Sequence, residues 1–199
     1  VSVQEMLPPE EAARAGFYGL LARLLYTPPD AGLLAAIAGA DEIVVEHEGA
    51  QAFALAWRDL MVAAAAADVR QVAEEYETLF VGTGKAPVSL YAGAYLAKTA
   101  VDNTLVEVRE YLAARGLTRQ AHAGEPEDHI AALCEAMRYF IARQQAPLAD
   151  QKPFFTRFLW PSAGPLCEAI ERAERAHLYK QIAMFMRRFI EIEAEAFRI

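Results

Sequence analysis

Ten prolines, at positions 8, 9, 28, 29, 87, 126, 147, 153, 161 and 165, divide the chain into long intervals that carry helical periodicity. Proline lacks an N–H and its ring clashes with the preceding turn, so helix interiors exclude it and the intervals between prolines are where helices belong. The spacing predicts a helix over about 9–26, with Phe17, Leu20, Leu21, Leu24 and Leu25 on one face, and a short one through Ile37. Further helices are expected over 50–67 (Phe53, Trp57 and Leu60 inward) and 69–80 (Val72, Tyr76, Leu79 and Phe80 inward). A long helix is expected over 89–115, closed by Gly116. Pro126 is expected to open a helix reaching Arg143, whose apolar face is Leu133, Met137, Phe140 and Ile141. A turn over 147–152, a short aromatic helix over 154–160, a bend over 161–165 and two closing helices, 166–176 and 178–199, complete the reading. Ile43-Val44-Val45 is the one β-like run, too short and isolated to found a sheet. The expected fold is therefore all-α: a compact bundle of eight or nine helices in one domain, 1–199. Within it an N-terminal lobe (9–116) and a C-terminal lobe (126–199) flank a linker at 117–125, with a hinge near 117–126.

Charge and cysteine content remove several function classes. Lys+Arg is 19 against 27 Asp+Glu, a formal charge of -8, which repels nucleic acid and suits a cationic partner or simple solubility. Cys134 and Cys167 stand alone among apolar neighbours, as buried free thiols do; a disulfide framework or a cysteine-built zinc site needs more ligands at closer spacing. The first residues have neither the basic start nor the apolar core of a secretory signal, and the most apolar run, 50–67, is interrupted by Arg58 and Asp59, so no direct membrane insertion is expected. A cytoplasmic protein with no cofactor of its own is the expectation.

Several local patterns resemble chemical motifs and fail on inspection. Gly82-Thr83-Gly84-Lys85 lacks the Ser/Thr and the preceding strand of a phosphate loop. Glu174-Arg175-Ala176-His177 has the Glu-x-x-His spacing of carboxylate-bridged di-iron bundles, with Glu107 and Glu135 as further conceivable ligands. Such a site needs the motif twice, and this chain has it once. No serine sits in a nucleophile elbow. A metal-dependent helical enzyme and a helical ligand-binding or interaction domain stand as alternatives to the reading below.

Glu125-Pro126-Glu127-Asp128-His129 is the densest polar signal. Proline followed by carboxylates is good chemistry for a helix start, with His129 a bystander whose pKa the acids would raise. Beside an apolar groove, the same cluster would hold a peptide carrying positive charge next to a hydrophobic run. Tyr76, Phe80, Tyr91 and Tyr95 flank the glycine loop, either as core or as the wall of such a groove.

Together these segments resemble a known family. Glu125-Pro126-Glu127-Asp128-His129 matches the Glu-Pro-x-Asp-His motif of the TorD/DmsD chaperones. Tyr76-Glu77-Thr78-Leu79-Phe80-Val81-Gly82 resembles their aromatic-x-x-Leu-Phe-x-Gly segment, and Phe158-Leu159-Trp160-Pro161 their Trp/Pro-containing turn. Ser89-Leu90-Tyr91, with Val88 where the family often has tryptophan, is similar to the NarJ branch, whose members assemble nitrate-reductase-type enzymes. The resemblance implies a TorD-like helical fold and a non-catalytic role in molybdoenzyme maturation. It implies a partner, the catalytic subunit of a molybdopterin oxidoreductase, held by its twin-arginine signal peptide or N-terminal region before export or membrane attachment. For a hinged helical protein, a monomer or a swapped dimer is expected. Carried onto this chain, the implied peptide site is Glu125, Pro126, Glu127, Asp128 and His129, with Tyr76, Phe80, Ser89 and Tyr91 from the upstream segments.

Overall fold

The computed structural model describes residues 7–45, 48–82, 86–96, 103–120 and 124–198, and among them every regular element is helical. Helix α1 (Pro9–Tyr26) has Pro9 at its first position and Glu10 and Glu11 in its first turn, and Thr27-Pro28-Pro29 ends it. Asp30 accepts the Leu33 N–H at 2.7 Å and so caps α2 (Ala31–Ala38). Helices α3 (Gln51–Ala66) and α4 (Val69–Tyr76) follow, the latter capped by Asp68 and continued by one π-helical turn, Glu77–Val81, that Gly82 terminates with φ +60°.

The expected helix over 89–115 is instead broken. Ser89 to Ala92 run extended, α5 (Gly93–Leu96) is a single turn, and α6 (Thr104–Ala113) starts anew with Asn103 accepting the Val106 N–H at 3.2 Å. Residues 97–102 lie outside the described segments. The extended stretch is held by a second strand of backbone. Ala92 N–H donates to the Asp128 carbonyl (2.9 Å) and Ile130 N–H to the Leu90 carbonyl (2.8 Å), forming an isolated antiparallel bridge between Tyr91 and His129. Apolar periodicity could not reveal a pairing partner nearly forty residues away.

The same pairing corrects the start of the next helix. Pro126 does not open it. Residues 126–129 form a turn, with the His129 N–H donating to the Pro126 carbonyl (3.1 Å), and α7 (Ile130–Ala142) begins after His129, whose Nδ1 accepts the Ala131 N–H at 3.1 Å. The imidazole is thus the cap, and the carboxylates that suggested a first helical turn point elsewhere.

The expected turn over 147–152 is helix as well. Helix α8 (Leu148–Phe154), a π-helical turn at Phe155–Leu159 and α9 (Trp160–Arg172) form one continuous run, with Pro153 and Pro165 inside it. Pro161 has no N–H to give the ladder. At this point the register widens: Trp160 N–H reaches back to the Phe155 carbonyl, while the Ser162 hydroxyl donates to the Phe158 carbonyl (2.6 Å). A proline read as a bend is absorbed by a wider turn and a hydroxyl. Helix α10 (Leu178–Ala196) closes the chain.

Helix α1 packs along α7, and α10 lies against α9 and α3. An aromatic cluster ties three of these together: Phe17 of α1 meets Phe53 and Trp57 of α3 edge-on at 5.3 and 5.7 Å, and Phe185 of α10 stacks on Phe53 at 5.4 Å. The α7 face foreseen from periodicity, Leu133, Met137, Phe140 and Ile141, is buried throughout, each side chain contributing about 1.5–3 kcal/mol by leaving water. One apolar cluster spans residues on both sides of the 117–125 segment, which joins α6 to α7. Cys134 and Cys167 are buried free thiols, the latter pushed up to about 12 by burial.

Candidate functional site: a groove between α1 and α7

Antiparallel packing of α1 on α7 brings Tyr26 over His129 (ring centroids 6.2 Å) and sets Gly19 against Arg138, where a Cβ would lie 2.8 Å from the arginine Cδ. The glycine permits that approach. Beside this seam, the 112–120 segment and residues 125–127 wall off an open groove of about 700 Å³. Ala132, Ala136 and Tyr139 of α7, Ala22 and Tyr26 of α1, and Leu117 form its apolar surface, while Glu125 and Glu127 stand at one end. Tyr26 and Tyr139 remain 43% and 39% exposed, so their rings are free to take up a further apolar surface.

The nine residues singled out from the sequence divide sharply by position. Glu125 and Glu127 reach the groove. The Glu125 carboxylate accepts the Tyr91 hydroxyl at 2.7 Å, and Arg119 donates to its main-chain carbonyl at 3.3 Å. Tyr91 is 40% exposed; its hydrogen bond to Glu125, with some help from burial, raises its pKa to about 12. Glu127 forms a two-point pair with Arg109 (2.9 and 3.0 Å), which holds its carboxyl below the usual carboxylate range.

Asp128 and His129 are buried, at 7% and 2% exposure, and act as fasteners. Burial raises the Asp128 pKa against the opposing backbone N–H of Gly93, where a Cβ would come within 3.2 Å of the carboxylate. Burial also lowers the His129 pKa, the reverse of the rise expected from neighbouring acids; only Glu125 pulls the other way. Lying between Tyr26 and Tyr91 (5.3 Å, edge-on) and accepting a cap hydrogen bond, the ring is suited to its neutral form. Pro126 supplies the carbonyl of the turn.

Tyr76, Phe80 and Ser89 are structural neighbours of this region and do not line the groove. Tyr76 is buried, its hydroxyl donating to the Tyr26 carbonyl (2.8 Å) at the end of α1; burial raises its pKa to about 12. Phe80 packs edge-on against Tyr76 (5.1 Å) and Tyr179 (5.0 Å). The Ser89 hydroxyl accepts the Tyr91 N–H (3.3 Å) and its carbonyl accepts from Tyr95 (2.7 Å). Sequence reasoning missed the groove's actual lining. The available signal was a second stripe on α7, Ala132, Ala136 and Tyr139, at helical spacing beside the core stripe.

The conceivable metal ligands are engaged separately. Glu107 pairs with Arg157, Glu135 with Arg138, and the His177 N–H is held by Glu75, while no cluster of three His, Cys, Asp or Glu that could hold an ion occurs among the described residues. Among the same residues, no helix is long and apolar enough to cross a membrane.

Fold and site together define an all-helical bundle with an open, apolar-walled groove edged by charge. The chain belongs to the nitrate reductase delta subunit family, whose model matches residues 46–190. It is 27% identical over 124 residues to a protein of Haemophilus influenzae described as "Probable Tat proofreading chaperone DmsD"; the match covers 58% of this chain and 56% of that protein, so the chain spans little more than half the relative's length. A crystal structure from Archaeoglobus fulgidus, described as "A Putative Redox Enzyme Maturation Protein", shares the fold with a TM-score of 0.55 at 18% identity, covering 96% of this chain and 98% of that one.

Proposed function

We propose that this protein is a non-catalytic maturation chaperone of a molybdenum-cofactor oxidoreductase. It takes the signal peptide or N-terminal region of the catalytic subunit into the groove between α1 and α7, in the cytoplasm, while cofactor is inserted and before export or membrane attachment. The observation that carries this reading is the groove itself. An open apolar channel of about 700 Å³, with half-exposed Tyr26 and Tyr139 and with Glu125 at one end, suits a segment that combines positive charge with apolar side chains. Membership of the delta-subunit family and the likeness to a protein named as a Tat proofreading chaperone support the choice of client.

Glu125 is the groove's available acceptor. Among the described residues its carboxylate is held by a tyrosine hydroxyl, which an incoming guanidinium displaces in favour of a stronger charge-assisted bond. Each apolar side chain that settles in the groove contributes about 1.5–3 kcal/mol. Ordering a disordered segment takes back about 2–5 kcal/mol, which leaves an affinity a chaperone can release.

Titration calorimetry with a peptide from the N-terminal region of the host's molybdoenzyme tests the location. Ala132→Trp fills the groove from a partly exposed lining position and is expected to weaken binding at least tenfold. An unchanged affinity would rule the groove out.

A further inference from the structure

One end of the groove is built from the backbone pairing that clasps residues 90–93 to 126–130. We infer that the hydrogen bond from Tyr91 to Glu125 is an autoinhibitory contact: it holds this clasp shut and occupies the acceptor that an incoming cation needs, so that filling the groove loosens the clasp. This inference rests on the peptide-binding reading above.

Tyr91 belongs to the clasp by its backbone and reaches the groove by its side chain. Its backbone forms the antiparallel bridge with His129, flanked by the hydrogen bonds from Ala92 N–H to the Asp128 carbonyl (2.9 Å) and from Ile130 N–H to the Leu90 carbonyl (2.8 Å). Its ring lies edge-on to the His129 imidazole at 5.3 Å, and its hydroxyl donates to Glu125 Oε2 at 2.7 Å. Glu125 in turn lines the groove. Arg119 donates to the main-chain carbonyl of Glu125 (3.3 Å) and not to its carboxylate. Tyr91 is 40% exposed, so its contact with Glu125 lies where an arriving side chain reaches it. Tyr26, also in the groove wall, approaches the same imidazole from α1 (6.2 Å), and its hydroxyl accepts the Gly124 N–H at 3.3 Å. Two tyrosine hydroxyls thus pin residues 124 and 125, and both rings meet His129. Of the two pins, the one on Glu125 holds a charge that a ligand can claim.

Linkage sets the size of the effect. The Tyr91–Glu125 bond stabilises the shut clasp by the same free energy with which it opposes the incoming cation, because both act on one equilibrium. A net hydrogen bond corresponds to a factor of about three to ten in an equilibrium constant. The clasp leads directly into α5, which packs on α9, so its loosening carries the signal of an occupied groove away from α7.

The test combines amide hydrogen exchange with fluorescence anisotropy. The probe is a synthetic peptide that carries arginine at the start of a Leu/Ala run, beside the same peptide with citrulline in place of arginine. In the wild-type protein the arginine peptide at saturation is expected to speed exchange at Ala92 and Ile130 about fivefold, and the citrulline peptide to leave it unchanged. Tyr91→Phe, which removes a hydroxyl from an exposed side chain, is expected to speed the same exchange by that factor without peptide and to show no further gain with it. It is also expected to bind the arginine peptide about fivefold more tightly. A tyrosine with a merely structural role would not improve affinity on losing its hydroxyl. Unchanged or weaker affinity in Tyr91→Phe, or exchange at Ala92 and Ile130 that the arginine peptide does not speed, overturns the inference while leaving the binding reading standing. Binding of neither peptide by the wild-type protein or by Tyr91→Phe overturns both.

Discussion

Glu75 is a carboxylate with almost no access to water, and its placement shows how a single residue fixes a distant element. It accepts the N–H groups of His177, Leu178 and Tyr179 at 2.7, 3.2 and 2.8 Å, satisfying the first turn of α10 and complementing its dipole. Removing it in Glu75→Ala leaves buried donors unpaired, and we expect a loss of about 2–3 kcal/mol in urea denaturation. Nothing near position 177 announces this cap, because the acceptor comes from α4, about a hundred residues earlier. His129 was legible as a residue of interest, and its role was not. Its pKa is lowered by burial, so the unfolded chain takes up a proton first as pH falls below about 6.5. The neutral ring's contribution is therefore complete above that value and is lost on acidification. The melting temperature is expected to fall between pH 7 and pH 5.5, and His129→Asn, which keeps a capping acceptor, is expected to flatten that dependence. A flat profile in the wild-type protein would contradict the assignment of the imidazole as a neutral cap.

Among the elements, α1 was legible because prolines mark its ends and acids its first turn, and α3 and α10 because their apolar faces are long. The failures share one physical origin, backbone hydrogen bonds whose partners are remote or irregular. Residues 89–92 have helix-compatible composition but are drawn straight by pairing with 128–130, and 155–161 absorbs a proline by widening the turn. The clasp between the 90–93 and 126–130 segments offers a sharp test. A Cβ at Gly93 would approach Asp128 Oδ2 to 3.2 Å, next to the backbone hydrogen bond that Gly93 makes to this buried carboxylate. Gly93→Ala is expected to cost about 1–2 kcal/mol by forcing the carboxylate aside, and amide exchange at Ala92 and Ile130 should quicken ahead of exchange in α10. Uniform protection across all three sites would show that the clasp is not a separate unit. The candidate site was half legible for the same reason. The acidic motif could be read directly, whereas the groove exists only because α1 and α7 lie side by side.

At the scale of the whole molecule, Arg14 ties the first helix to the last. Its guanidinium makes two hydrogen bonds with Glu193 (2.7 and 2.6 Å) and a third with Gln151 (2.9 Å), while the Tyr18 hydroxyl also donates to Glu193 at 2.8 Å. Glu193 is buried at 1% exposure, so removing its partner strands a charge. Arg14→Met is expected to destabilise by about 3–5 kcal/mol, read as a lower urea midpoint with an unchanged slope. This lock lies about 18 Å along α1 from Tyr26, on the side of α1 that faces Glu193, so peptide affinity under native conditions should survive the change. Stability and recognition thus occupy different parts of the same α1 helix.

The central claim is that the channel between α1 and α7 receives a segment of a redox enzyme. It is tested most directly by placing a photo-crosslinking amino acid at position 132 in the full-length chain, irradiating cells of the native host and sequencing the adducts by mass spectrometry. A control crosslinker at Val62, 65% exposed on α3, samples a surface away from the channel. The account predicts adducts from position 132 that map to the N-terminal region of a molybdopterin oxidoreductase, and none from position 62. Adducts of that enzyme at position 62 alone, or equal yields from both positions, would contradict it.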